Sequence, residues 1–217
     1  MNDDARSGPS LSVVEVADAL APFGVTLTDA QLASIARYVD LLLYWNRTMN
    51  LTSLEDPVEI VARHFGESIF ASAFAHMASG RLADVGTGAG FPGMALKIAI
   101  PELELTLVEP NRKKCAFLAE IQRELSLSGV DIMRSRYEDS PIERRSMDFL
   151  CARALGNYGS LLRWANGVLR PDGRVVLWVG IEDSVLIGKR PGWLWEIPIP
   201  IPDSIRRVVM VGRRIPA

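Results

Sequence analysis

The sequence predicts an α/β fold: a doubly wound, mostly parallel sheet with an antiparallel strand at its C-terminal end and a helical segment in front of it. Three observations predict it. From residue 81 onward, short apolar runs alternate with amphipathic helical stretches. The first run leads into a glycine-rich turn, residues 84–93, from which a helix departs. The next run ends in an acid, Glu109.

In chain order, residues 1–10 hold Asp3, Asp4, Gly8, Pro9 and Ser10 and are read as a disordered tail. Residues 11–78 form the helical N-terminal segment. Within it Thr28 and Gln31 have capping-box spacing ahead of Leu32, Ile35, Val39, Leu42 and Leu43 at helical period. Asp56, Pro57 and Glu59 mark a second helix start, carrying His64, Phe65 and Ile69. Residues 79–217 are the main, ligand-binding domain. Segments 81–85, 104–109, 130–133, 147–151 and 174–179 read as buried parallel strands, because they are apolar almost throughout rather than alternating. Helices are expected at 92–100, 111–127 and 158–169, and a short one at 183–189. The segments 193–199 and 206–213 are β-like and joined by a Pro-Asp-Ser turn, so they should pair antiparallel. Pro198, Pro200 and Pro202 cannot donate ladder hydrogen bonds and place the end of the 193–199 segment at an edge or outside the sheet.

The informative stretch runs Asp84-Val85-Gly86-Thr87-Gly88-Ala89-Gly90-Phe91-Pro92-Gly93. Glycines let the backbone turn sharply and let a ligand approach where a Cβ would stand. The helix start beyond offers unpaired N–H groups. Glu109, at the end of the following strand, can accept hydrogen bonds from both ribose hydroxyls of an adenosine ligand. Asp84 suits a cationic group, such as the ammonium of S-adenosylmethionine, directly or through water. NAD fits less well. Gly88, Gly90 and Gly93 have the dinucleotide spacing, but that frame puts Pro92 inside the motif and leaves Asp84 and Gly86 unexplained.

Three blocks carry a family resemblance. The first is Tyr44-Trp45-Asn46-Arg47-Thr48-Met49-Asn50-Leu51-Thr52, followed by Arg63-His64-Phe65 and Glu67-Ser68. The second is the glycine turn with its Gly-Phe-Pro-Gly ending, and the third is Cys151-Ala152-Arg153-Ala154. Over about residues 28–180 the chain resembles the bacterial 16S ribosomal RNA guanine nitrogen-7 methyltransferases, also called glucose-inhibited division protein B. The resemblance implies a class I methyltransferase, Rossmann-like fold and S-adenosyl-L-methionine as cofactor. It implies 16S rRNA as substrate, within a small-subunit particle. Carried over, the cofactor contacts fall on Gly86, Phe91, Tyr137, Glu138 and Arg153, beside Asp84, Gly88, Gly90 and Glu109 from the reading above. Arg153 is the one candidate catalytic residue, since methylation at nitrogen-7 needs positioning rather than a base. His64 is a candidate for ordering the site mouth or a structural histidine. Asn46 and Asn50 are candidates for tying a helix end to the glycine turn.

Composition narrows the remaining classes. The two cysteines, Cys115 and Cys151, have no metal-like spacing; no metal site or disulfide is expected, and each reads as a small core residue. No apolar run reaches the roughly 18 residues of a membrane span, so a cytoplasmic protein without membrane contact is expected, and a monomer. Net charge is −2, but residues 1–60 carry three arginines against nine acids, leaving 21 basic and 17 acidic residues in the rest. An RNA surface therefore belongs on the C-terminal part. Its candidates are Arg112, Lys113, Lys114, Arg134, Arg136, Arg144, Arg145, Arg206, Arg207, Arg213 and Arg214. Trp193 and Trp195 read as edge packing. Two other classes stay open: a methyltransferase of the same fold acting on a small molecule or protein, and a cofactor binder without activity.

Overall fold

The computed structural model describes residues 11–215; the expected tail, 1–10, lies outside them. An eight-stranded sheet forms the centre. Its strands are β1 (Gly80–Val85), β2 (Leu103–Val108), β3 (Val130–Met133), β4 (Met147–Arg153), β5 (Leu169–Gly180), β6 (Trp193–Trp195), β7 (Ile199–Pro200) and β8 (Arg207–Arg214). The order is β3-β2-β1-β4-β5-β8-β6, with β7 also on β8. β1 to β5 are parallel and β8 runs antiparallel to β5, β6 and β7. The expected doubly wound, mostly parallel sheet is present, and the proline-marked segment does lie at its edge.

Period-two alternation divides each central strand between two layers. In β5, Val176 and Trp178 face one core, while Val175, Leu177 and Val179 face the other. β8 repeats this with Val209 and Val211 against Val208 and Met210. The first core lies under α5 (Gly93–Ala99) and α6 (Arg112–Glu124), together with α1 (Val13–Leu20), α2 (Asp29–Asn46), α3 (Pro57–Ile60) and α4 (Glu67–Phe74). The second lies under α7 (Tyr158–Val168) and α8 (Ile181–Gly188). The N-terminal helices thus extend the layer over one face of the sheet.

Both predicted helix starts are present. Thr28 caps α2 in a reciprocal box with Gln31, and Asp56 accepts from Glu59 N ahead of α3. A second box, Ser12 with Glu15, opens α1. The helix expected from Pro57 is not uniform. Between α3 and α4 it widens into a π segment, Val61–Gly66, where Glu67 N donates to Ala62 O, five residues back. Three bounds shift. α8 begins at Ile181, not 183, and α6 stops at Glu124. β5 begins at Leu169, where it pairs with Met147 across a bulge before its regular register from Arg174.

Candidate active site

The glycine turn leaves β1 at its carboxyl end. There the strand order reverses, β2 lying on one side of β1 and β4 on the other. Such a switch point opens a crevice between loops that diverge, and ligands of doubly wound sheets bind there. The loops after β2, β3 and β4 reach the same edge and carry Glu109, Tyr137 with Glu138, and the end of β4 at Arg153.

The four glycines of the turn serve two purposes. Gly86 and Gly88 have φ of 68° and 59°, and a Cβ on either meets no atom closer than 3.5 Å. Their open side faces the crevice. Gly90 and Gly93 face inward. A Cβ on Gly90 would strike the Tyr38 hydroxyl, and one on Gly93 would lie 2.8 Å from Asp84. Gly90, expected among the ligand contacts, also packs closely on Tyr38, which lets α2 reach the turn. Tyr38 uses that approach to donate to Ala89 O at 2.7 Å. Phe91 is likewise buried, stacked on His64 with ring centroids 4.6 Å apart and edge-on to Phe65. Its side chain supports the turn from beneath.

Asp84 is fully buried. Its Oδ2 accepts from Thr87 Oγ1 at 2.6 Å and from Gly93 N at 2.8 Å, tying both ends of the turn together. Burial pushes its carboxyl up to about 6, against the lowering effect of those two donors and of the neighbouring Cys151 thiol. Glu109 reaches across the crevice floor. One oxygen accepts from Gly88 N at 3.0 Å and the other from Asn111 N at 2.9 Å. Each oxygen keeps a free lone pair. Tyr137 is buried against Trp164, while Glu138 is exposed on the one-turn helix that follows β3.

Arg153 turns away from the glycines toward the π segment. Its guanidinium donates to Arg63 O at 2.9 Å and to Glu67 Oε2 at 3.1 Å. Glu67 is 1% exposed and also binds Arg207 at 2.8 Å, while its backbone carbonyl accepts from Trp178 Nε1. Burial raises the Glu67 carboxyl, and Arg153 and Arg207 oppose that rise. His64 shares a 2.8 Å hydrogen bond with Thr52 and is held neutral, lowered to about 3 by burial and then by Arg153 and the other arginines. Asn46 closes a local turn, bonding Leu51 N, Thr52 N and Thr52 O, and makes no bond to the glycine turn.

The sequence profile of the rRNA small subunit methyltransferase G family matches residues 31–185. The chain belongs to that family. Among its relatives, the protein named ribosomal RNA small subunit methyltransferase G from Xanthomonas axonopodis pv. citri is 38% identical over 193 residues, 87% of this chain and 90% of that protein. The protein of the same name from Stenotrophomonas maltophilia is 39% identical over 198 residues, 91% of this chain and 90% of that protein. Solved structures share the fold at low identity. A SAM-dependent methyltransferase from Aquifex aeolicus superposes with a TM-score of 0.64 over 76% of this chain and 97% of that one, at 15% identity. A ribosomal protein L11 methylase from Lactobacillus delbrueckii subsp. bulgaricus gives 0.59 over 70% of this chain and 79% of that one, at 13% identity.

Within this family member, Thr87, Asn111 and Tyr38 hold the site together without having been assigned to it from the sequence, and Arg207, a candidate there for an RNA surface, pairs with the buried Glu67. Only Asn111 had a readable signal, as the cap of α6. Among the described residues no group of histidine, cysteine and acidic side chains could hold a metal ion, and no helix is long and apolar enough to cross a membrane.

Proposed function

We propose that this chain transfers the methyl group of S-adenosylmethionine to nitrogen-7 of a guanine in 16S rRNA. The observation that carries the proposal is the open edge of Gly86 and Gly88 set against Glu109 at the switch point. A Cβ at either glycine would project into the space a nucleoside needs, and Glu109 has acceptor capacity there for two ribose hydroxyls. The cofactor supplies an electrophilic methyl on a sulfonium. Asp84 lies beneath the turn, so it holds the glycines in place and biases the field toward a cation above them. The backbone at Tyr137 and Glu138 borders the adenine side. Arg153, fixed by Glu67, forms the wall on the substrate side.

Nitrogen-7 of guanine carries a lone pair and no proton at neutral pH, so the transfer needs alignment and no base. Both thiols are pushed above their ordinary range, mainly by burial. A cysteine-nucleophile route has no support in such groups. The substrate is read as a small-subunit particle and the enzyme as a cytoplasmic monomer. The relatives' names and the charge of the C-terminal part support an RNA substrate.

The test is deletion of the gene followed by mapping of modified guanines in the host's 16S rRNA. One 7-methylguanosine should vanish. The wild-type chain should restore it and Gly86→Arg should not. An unchanged map refutes the proposal.

A further inference from the structure

Outside the crevice, a groove of about 820 Å³ runs along α7, between that helix and the segment joining α8 to β6. Arg145, Arg163, Arg190 and Arg214 line it, with Asp172 as its one carboxylate and Leu162 and Trp193 among its apolar lining. No described carboxylate forms an ion pair with Arg145, Arg163 or Arg190. In a chain of net charge −2, an uncompensated arginine line is a local exception.

The arginines are spread along the helix. Arg190 lies over the first turn of α7, where a Cβ on Gly159 would come within 3.2 Å of its Nη1. Arg163 stands midway. Arg145 is held at the far end, its N donating to Gly167 O at 3.0 Å. Arg214 is fixed beside it by two bonds to Asn166. From Gly159 to Gly167 the helix rises about 12 Å. A small anion would want these forks converged on one point; a line of them fits successive phosphates of a strand. Leu162 and Trp193 are buried in the core beneath the groove, while the exposed Pro171, Pro191 and Ile215 offer apolar surface to sugar faces. Gly159 at the near end follows the loop that leaves Arg153, whereas Arg145, Asp172 and Arg214 lie toward the amino ends of β4 and β5, so a strand reaching the groove from the crevice would run down the length of α7.

We infer that the α7 groove is a second RNA-contact site, gripping the phosphate backbone of the substrate beyond the methylated nucleotide. The inference rests on the proposed function for the identity of the polyanion. It is tested with the full chain, a 16S rRNA transcript and small-subunit particles. The variants are the pair Arg163→Glu with Arg190→Glu, and separately Arg145→Glu. Each should keep the wild-type melting temperature and S-adenosylmethionine affinity. The pair should bind RNA at least tenfold more weakly. Its slope of log affinity against log salt should shrink by about 1.4, the value for two lost single-strand phosphate contacts. Should charge reversal disturb folding, the neutral pair Arg163→Gln with Arg190→Gln should show the same loss of slope. Ultraviolet cross-links from the wild type should map to residues 158–166 and 190–193. Unchanged affinity and slope in variants of a wild type that does bind RNA overturn the groove alone. A wild type that binds neither RNA form overturns the proposed function with it.

Discussion

Gly86 and Gly93 belong to one turn and should fail in different ways. A Cβ on Gly93 would sit 2.8 Å from Asp84 and 2.9 Å from Leu107. Gly93→Ala should therefore cost about 2 kcal/mol through overpacking, visible as a lowered melting temperature. At Gly86 the nearest atom is Leu155 at 3.5 Å, so Gly86→Ala should cost only about 1 kcal/mol for its left-handed backbone. It should nonetheless weaken S-adenosylmethionine binding more than tenfold by calorimetry. The sequence displayed all four glycines, but not this division, because it depends on what each Cα faces after folding. The two buried titratable groups pull stability in opposite directions. Asp84 is raised to about 6, so its contribution is complete below the unfolded value near 3.8 and fades as pH rises through 6. The stability of Asp84→Asn relative to wild type should therefore rise by roughly 2–3 kcal/mol between pH 4 and pH 7. His64 is lowered to about 3. It protonates first in the unfolded chain, so its contribution is full above about 6.5 and is lost as pH falls toward 3. Its imidazole resonances should stay flat from pH 8 to pH 4; a midpoint near 6.5 would contradict its burial.

The element that departs most from its sequence reading is the helix that starts at Asp56. Its cap was plain, and so was its apolar face, but the π segment Val61–Gly66 was not. A five-residue hydrogen bond has no compositional signature; it arises from what the neighbouring layers demand. Here the extra residue rotates Glu67 inward, where it meets Arg153 from β4 and Arg207 from β8. Three elements distant in sequence are thereby fastened beside the substrate edge. Glu67→Gln would leave the largely buried Arg153 and the part-buried Arg207 without a counter-charge, which should cost about 3 kcal/mol. The chemical denaturation midpoint should drop accordingly. Removing the arginines as well, in the triple variant with Arg153→Met and Arg207→Met, should recover most of that loss. If Glu67→Gln melts like the wild type, the clamp contributes nothing. Strands were more legible than this helix, since β1, β5 and β8 are buried on both faces and announce it as continuous apolar runs. The edge place of β7 was legible through Pro198, Pro200 and Pro202, while β6 itself holds no proline.

At the scale of the whole molecule, the N-terminal helices and the sheet share one core. Val16 and Leu20 of α1, Ile35 and Leu42 of α2, and Phe65 of the π segment join Met94, Phe117 and Trp178 in a single buried cluster. Trp45 of α2 packs on Phe117 at 6.0 Å and donates to Glu120 across to α6. The sequence suggested a boundary near residue 78, because the pattern switches there from helical to alternating. That switch marks a change of secondary structure, not a break in the core. Peeling off residues 11–46 would expose the apolar faces of α5 and α6, about 25 cal/mol for each Å² uncovered, and the remaining chain would lose the layer over one side of its sheet. Unfolding should consequently be one cooperative event. A variant retaining Trp45 as its sole tryptophan reports on the N-terminal layer, and one retaining Trp193 reports on the opposite edge. In urea, each variant's fluorescence transition should coincide with its own far-ultraviolet circular dichroism at a single midpoint. A Trp45 signal that moves at lower urea than the circular dichroism would mean that the helices detach first, and the glycine turn would then rest on the sheet alone.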